Sequence, residues 1–398
     1  MTNFNKSKLR FPFSYLIVLI LIIYVIIVLF LPMPKISATS NEIMVDPVNG
    51  KLIWPTYGQS AVGVENYGVL ATNGEQKAAP IASIAKTMVA LSVLKERPLK
   101  IGEQGPMITM TANDEEFFRQ DFAQNGSVVP IRIGEELSEY QAIQALLLPS
   151  GDNIASTLAV WAFGSVEEYL TYANNLAKDL GLEQTYFADA SGLSPQTVSS
   201  AQNLVVLGEK VMAEPVLAEI VGQSSVTLPV AGKVNNYNTI LGIENIVGIK
   251  TGNTDEAGGC FLFASKRSIG SKEAMVIGVI LGATSRNQAL SDTKTFLRSN
   301  SSNFVSQTVV SEGQIVGSYR LPWGKEVNIL AKDDLSVITI PGAKQEIKAN
   351  FSSINKSTNK GSEVGRISVS SGTNEISVSG ILDEKVSKPP FFWKLLHP

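Results

Sequence analysis

Residues 16–31 read LIVLILIIYVIIVLFL, and the longer stretch 11–34 carries no charge at all. A helix of this composition is apolar on every face, so it does not fit the one-sided pattern of a helix lying on a soluble core. About 20 apolar residues cross the hydrocarbon of a bilayer, whereas the apolar part of a signal peptide is usually ~7–15. Lys6, Lys8 and Arg10 precede the run. A basic flank stays in the cytoplasm, which sends everything after Lys35 to the outside. Residues 1–35 therefore read as a short cytoplasmic stub and a single-pass signal anchor in the cytoplasmic membrane. Ile36-Ser37-Ala38 leaves cleavage, and hence secretion, as the alternative.

The chemistry open to the exported part is narrow. The 398 residues include one cysteine, Cys260, and one histidine, His397. One cysteine excludes an intramolecular disulfide and a Cys-rich metal site. One histidine next to the C-terminus argues against a Ser-His-Asp triad, an HExxH zinc site or a Cys-His dyad. With 33 Lys+Arg against 36 Asp+Glu the net charge is −3, which is not a basic footprint for nucleic acid. Catalysis would fall to Ser, Lys, Asp, Glu, Tyr or an unseen cofactor.

Periodicity divides the remainder. Short strands are expected at 61–63 and 67–71, followed by helical patterns at 83–96, 139–148, 153–163, 166–180 and 201–214. Apolar runs at 260–264 and 274–281, rich in Val, Ile and Phe and bounded by glycines, read as buried strands, with a last helix at 288–298. Strands, then helices, then strands describe an α+β domain over 41–300 with its helices packed on one sheet. Short β-branched segments at 314–319, 327–331, 336–340, 366–369 and 375–378 make 301–388 a small all-β, sandwich-like domain. The tail 389–398 begins PPFFWKLL and can either meet lipid headgroups or pack back on its own chain.

Three short motifs stand in order: Ser83-Ile84-Ala85-Lys86, Ser150-Gly151-Asp152-Asn153 and Lys250-Thr251-Gly252. At i and i+3 of a helix, Ser83 and Lys86 share a face, and the free N–H groups of a helix start favour a developing anion. Burial of Lys86 among Met88, Val89 and their neighbours would lower its pKa and make it a base towards Ser83. Lys250 and Thr251 at a strand edge can hold a carboxylate, with Gly252 permitting close approach of a substrate backbone. Each motif alone also has a bland reading: a helix start with a solvated lysine, an interhelical turn, a hairpin.

Together the motifs are far more specific. The set is the one described for serine β-lactamases and penicillin-binding proteins. From about 61 to 300 the chain resembles the low-molecular-mass penicillin-binding proteins, the serine-type D-Ala-D-Ala carboxypeptidases, with a weaker likeness through the β domain. APIASIAKTMVA at 79–90, the residues around LLLPSGDN, ASGL at 190–193, 236–241 and GIKTGNTDEAG at 248–258 carry it in the right order. The resemblance implies a β-lactamase/transpeptidase-like domain with helices on an antiparallel sheet, and no metal or organic cofactor. It implies Ser83 as the acylated nucleophile, Lys86 as its base and Ser150 as a proton relay. Lys250 would polarise Ser150 and steer substrate, Thr251 would bind the terminal carboxylate, and the N–H groups of Ser83 and Asn253 would form the oxyanion hole. The implied partners are peptidoglycan stem peptides, with β-lactams as inhibitors.

Two positions depart from the family pattern. Where the second motif is usually Ser-x-Asn, Asp152 holds the third place and Asn153 follows. Asp152 could repel a substrate carboxylate, pair with Lys86 or Lys250, or point away while Asn153 substitutes. The family arginine that helps hold the substrate carboxylate aligns with Ala289, three residues before Asp292, leaving nearby Arg286 as the replacement. Two other readings follow: a sensor that is acylated without turnover, and a β-lactamase, which would want a positioned glutamate, although Glu167 and Glu168 fall in an ordinary amphipathic helix with no Asn four residues on.

Overall fold

The structure, a computed structural model, describes residues 13–397. Lys6, Lys8 and Arg10, the basic flank of the apolar run, lie outside the described residues. Two twelve-residue strands, Gly258–Ile269 and Lys272–Ala283, form the middle of a five-stranded antiparallel sheet. The order across it is Ile246–Thr254, Gly258–Ile269, Lys272–Ala283, Gln59–Val64, Gly68–Asn73. Both faces are covered, which is why these strands read as continuous apolar runs rather than as an alternation. Leu262, Ala264, Ile277 and Val279 face the large helical core. Phe261, Phe263 and Val276 face the second, where Phe263 meets Phe296 of the helix Arg286–Ser299 at 6.4 Å between rings.

On the larger side, the helix Lys86–Glu96 runs through the middle, with every residue from Lys86 to Leu94 buried. Around it pack Glu139–Leu147, Asp152–Phe163, Val166–Asp179 and Ala201–Ala213. Ser138, Ser165, Ser200 and Ser285 each accept a backbone N–H at a helix start, so the boundaries are set by N-caps.

The C-terminal part is all β. Its six-stranded sheet runs Thr39–Ser40, Ile315–Arg320, Glu326–Ala331, Asn374–Leu382, Glu363–Ser371, Gln345–Phe351. The pair Val305–Val310 and Leu335–Thr339 shares a core with it through Val309, Val337, Val316 and Ile329. The chain leaving the apolar helix joins this sheet directly. Ile36 and Ile354 exchange two backbone hydrogen bonds of 2.8 Å, and Thr39 pairs with Ser318.

The apolar run forms the helix Phe13–Phe30, long and apolar enough to cross a membrane, with Val28 its one buried residue. The tail forms a short helix, Phe391–Leu396, that packs against it. Tyr24 donates its hydroxyl to the Leu395 carbonyl at 2.7 Å, and the Lys394 ammonium donates to the Leu31 carbonyl at 3.2 Å. Trp393 meets Trp323 edge-on at 5.6 Å, while Phe391, Phe392 and Leu396 stay exposed. The tail thus packs on its own chain and still presents an apolar surface beside the helix.

Buried acids make the stability of the fold pH-dependent, Glu139 among them beside Asp121 and Glu209. Glu139 is fully buried, and neither carboxyl oxygen has a hydrogen-bond partner among the described residues. Burial pushes its pKa from 4.5 up to about 7, against the opposing charge of Arg97. A folded-state pKa raised in this way contributes stability that is fully present below the unfolded value and is lost as pH rises through the folded one. The melting temperature should therefore fall between about pH 5 and pH 8, and Glu139→Gln should flatten that slope. Equal slopes in thermal melts of the two proteins would remove Glu139 from the account.

Candidate active site

Ser83 lies in a 3-10 turn, Ala82–Ala85, that runs straight into the helix Lys86–Glu96. The sequence reading starts an α-helix at 83, and the tighter turn is what brings the pair together. Side chains at i and i+3 eclipse in a 3-10 turn, and the Lys86 ammonium donates to Ser83 Oγ at 2.8 Å. The residue before Ser83, Ala82, has φ 47°, a left-handed backbone that non-glycine residues rarely adopt. Two glycines make room for this turn. A Cβ on Gly192, itself at φ +83°, would sit 2.0 Å from the Ala82 carbonyl oxygen. One on Gly252 would sit 3.0 Å from the Ala82 Cβ and 3.2 Å from the Ser83 nitrogen.

Lys86 is 0 % exposed and donates three hydrogen bonds: 2.8 Å to Ser83 Oγ, 2.5 Å to Asp152 Oδ1 and 2.7 Å to the Ser191 carbonyl. That carbonyl is held by a loop wound around Asp189. The Asp189 carboxylate accepts from Ser191 Oγ at 2.7 Å and from the Gly192 and Leu193 N–H groups at 2.9 Å each, and from Thr197. Asp152 is the first residue of the helix Asp152–Phe163, where the helix dipole favours a carboxylate, and it is 1 % exposed. Of the arrangements open to Asp152 in the sequence, the structure has the pair with Lys86. Asn153 is not brought to this cluster: its amide donates to the Val129 carbonyl at 3.0 Å and accepts from the Val129 N–H at 2.9 Å. Ser150 is buried in the turn that presents Asp152 and has φ 65°. Both motif serines are thus flanked by, or lie in, left-handed backbone.

Lys250, Thr251 and Gly252 lie within the strand Ile246–Thr254, opposite Leu262, Phe261 and Cys260. Lys250 is 1 % exposed, and its ammonium donates to the Thr251 carbonyl at 3.0 Å. Burial holds its pKa well below the usual lysine range. The positive charges of Lys86 and Arg286 act the same way, and Asp152 opposes them. Lys86 and Arg286 thus bring positive charge to this strand beside the paired Asp152. Asn253 is exposed and accepts from the Arg286 N–H at 3.0 Å. Arg286 opens the helix Arg286–Ser299 and lays its guanidinium 4.5 Å over the ring of Tyr237. Tyr237 in turn donates its N–H to the Leu148 carbonyl at 3.0 Å, next to the Ser150 turn. Ala289, at the expected arginine position, is fully buried.

Three contributors escape sequence reasoning. The Ser191 carbonyl and Tyr237 lie in segments that resemble the family, 190–193 and 236–241, but neither offers a motif residue. Asp121 lies in the helix Ala112–Ala123, which has no clear apolar period. Its Oδ2 is buried without a partner among the described residues. Burial, then the negative charge of Asp152, push its pKa up to about 6, with Lys86 opposing.

A serine in contact with a buried lysine, a second serine in the turn before its counter-ion and a strand carrying a further buried lysine form an arrangement chemically suited to acyl transfer. Residues 58–285 match the D-alanyl-D-alanine carboxypeptidase family, peptidase family S11. The chain belongs to that family. The resemblance read from the sequence is thereby borne out. Residues 304–388 match the C-terminal domain of penicillin-binding protein 5. Among relatives, the chain is 25% identical over 255 residues to the D-alanyl-D-alanine carboxypeptidase DacF of Bacillus subtilis, covering 61% of this chain and 64% of that one. It is 28% identical over 231 residues to DacD of Escherichia coli, covering 56% and 58%. It thus spans under two thirds of the length of these two relatives. The fold is that of penicillin-binding protein 5 from Haemophilus influenzae, with a TM-score of 0.63 at 19% identity over 87% of this chain and 99% of that one.

Proposed function

We propose that this protein is a serine D-Ala-D-Ala carboxypeptidase that removes the terminal D-alanine from peptidoglycan stem peptides through an acyl-enzyme on Ser83, and that β-lactams inhibit it by acylating the same serine. The observation that carries this reading is the 2.8 Å contact between Ser83 and the buried Lys86, in a chain of this family. Ser83 Oγ attacks the penultimate carbonyl carbon while Lys86 takes its proton. The N–H groups of Ser83 and Asn253 hold the oxyanion, a donor set worth ~10²–10³ in rate. Ser150 passes a proton to the leaving D-alanine, and Lys250, Thr251 and Arg286 bind its carboxylate. Water then hydrolyses the ester. The helix Phe13–Phe30 would hold the enzyme in the cytoplasmic membrane, with the catalytic domain on the outer side.

One observation favours a second reading, a sensor acylated without turnover: all three donors of Lys86 are engaged, one of them by Asp152. The β-lactamase reading draws no such support, since Glu167 and Glu168 are exposed in the first turn of the helix Val166–Asp179. The deciding experiment incubates the full chain in detergent with a peptide ending in D-Ala-D-Ala and follows it by mass spectrometry. Loss of one alanine is expected. A protein that is acylated by penicillin yet leaves the peptide intact would be the sensor.

A further inference from the structure

We propose that Asp152 is a positioning residue that also accepts a proton, taking one from Lys86 so that Lys86 can act as base towards Ser83. The inference rests on the reading of Ser83 as the acylated nucleophile. Its starting point is the saturation of Lys86. The ammonium gives its three protons to Ser83 Oγ, Asp152 Oδ1 and the Ser191 carbonyl. A nitrogen donating three hydrogen bonds has no lone pair with which to receive the serine proton. One proton must leave first. Of the three acceptors, a hydroxyl and an amide carbonyl are very weak bases, and only the carboxylate can hold it.

The separation is short, 2.5 Å, and both side chains are at most 1 % exposed. Moving one proton from Nζ to Oδ1 neutralises two buried charges at once, which removes both desolvation penalties. The steps then balance. Asp152 takes a proton from Lys86, leaving a neutral amine beside a neutral acid. The amine lone pair takes the Ser83 proton as Oγ bonds to the substrate carbonyl carbon and the carbonyl π pair moves to oxygen. When the tetrahedral centre collapses, the C–N bonding pair goes to the leaving nitrogen, which takes a proton from the Ser150 hydroxyl as Lys86 replaces it. Asp152 then returns its proton to the amine. An amide bond is exchanged for an ester with no proton drawn from solvent.

The usual amide at position 152 cannot do this, so an asparagine protein must start from a lysine already neutral in the free enzyme. That difference is visible in pH dependence. The carboxylate protein reacts from the paired state itself, passing the proton within the pair rather than to solvent. The other charges facing the pair are Asp121 from the helix Ala112–Ala123, Lys250 from the strand Ile246–Thr254 with Arg286 beyond it, and Asp189 from the loop behind Ser191. Asp121 titrates at about 6, so the comparison is made above it.

The test measures the rate of Ser83 acylation by a fluorescent penicillin from about pH 7 to 9, with the full chain in detergent. The unaltered protein and Asp152→Glu should give matching, shallow profiles, with Lys250 facing the pair in both. Asp152→Asn should be slower at neutrality and rise about tenfold per pH unit, the signature of a single deprotonation. Matching profiles for the unaltered protein and a folded Asp152→Asn would overturn the inference while leaving the function standing. A steep limb in Asp152→Glu absent from the unaltered protein would overturn it independently, even if Asp152→Asn failed to fold. Absence of any acylation of the unaltered protein would overturn both the inference and the proposed function.

Discussion

Ser83→Ala gives a folded protein that forms no covalent adduct with penicillin and releases no D-alanine. If Ser83 is the nucleophile proposed, its loss in a serine hydrolase whose groups act as a unit costs on the order of 10⁶ in kcat. The structural effect is small by comparison. Ser83 is only partly buried and occupies one of the three acceptor positions around Lys86. A hydrogen bond from a charged donor is worth about 1.5–3 kcal/mol, so the melting temperature should fall without loss of the cooperative transition. Intact-mass spectrometry after incubation with penicillin, paired with a thermal melt, reads both quantities. An adduct on the alanine protein would place the nucleophile elsewhere.

Lys86→Met should be the more destructive change, because it removes the proposed base and strands a charge. Asp152 would remain 1 % exposed with its cationic partner gone. Breaking a buried pair from one side costs about 3–5 kcal/mol, whereas replacing both partners is often close to neutral. Denaturant titration should therefore show a large loss in Lys86→Met and recovery of more than half of it on adding Asp152→Asn. Acylation should stay absent in both. A single variant as stable as the unaltered protein would mean the pair contributes nothing to holding the helices Lys86–Glu96 and Asp152–Phe163 together.

What could be read in advance follows the range of the interaction. Ser83 and Lys86 are three residues apart, so a helical turn alone aligns them, and the apolar run after Lys86 foretells its burial. The strands around 260–264 and 274–281 were legible because both their faces are covered and the residues are uniformly apolar. The partner of Asp152 was not, since it depends on how one helix start lies against another helix. Nor was the left-handed Ala82, whose turn is given room by Gly192 and Gly252 from segments more than a hundred residues away. ANDEEFFRQDFA, the helix carrying Asp121, is mostly polar and lacks a regular stripe. QEIKANF, the edge strand Gln345–Phe351, has charged and apolar residues interleaved and only half buried. Thr39–Ser40 is too short to show any period.

The order of strands in the five-stranded sheet has a consequence for how the protein comes into being. The hairpin of Gln59–Val64 and Gly68–Asn73 pairs with Lys272–Ala283, so Gln59 waits for Leu281. Contacts this distant in sequence close slowly, because the loop entropy is spent before any pairing repays it. A chain emerging N-terminus first would carry an unpartnered hairpin, and the Ser83 turn would lack the Gly252 strand that buttresses it. Such a chain stays inert, and exposed to pairing errors, until the last strand of the sheet has emerged. Reactivity and completion of the domain therefore arrive together, and truncation anywhere before residue 283 should yield a protein that is unreactive because it is unfinished.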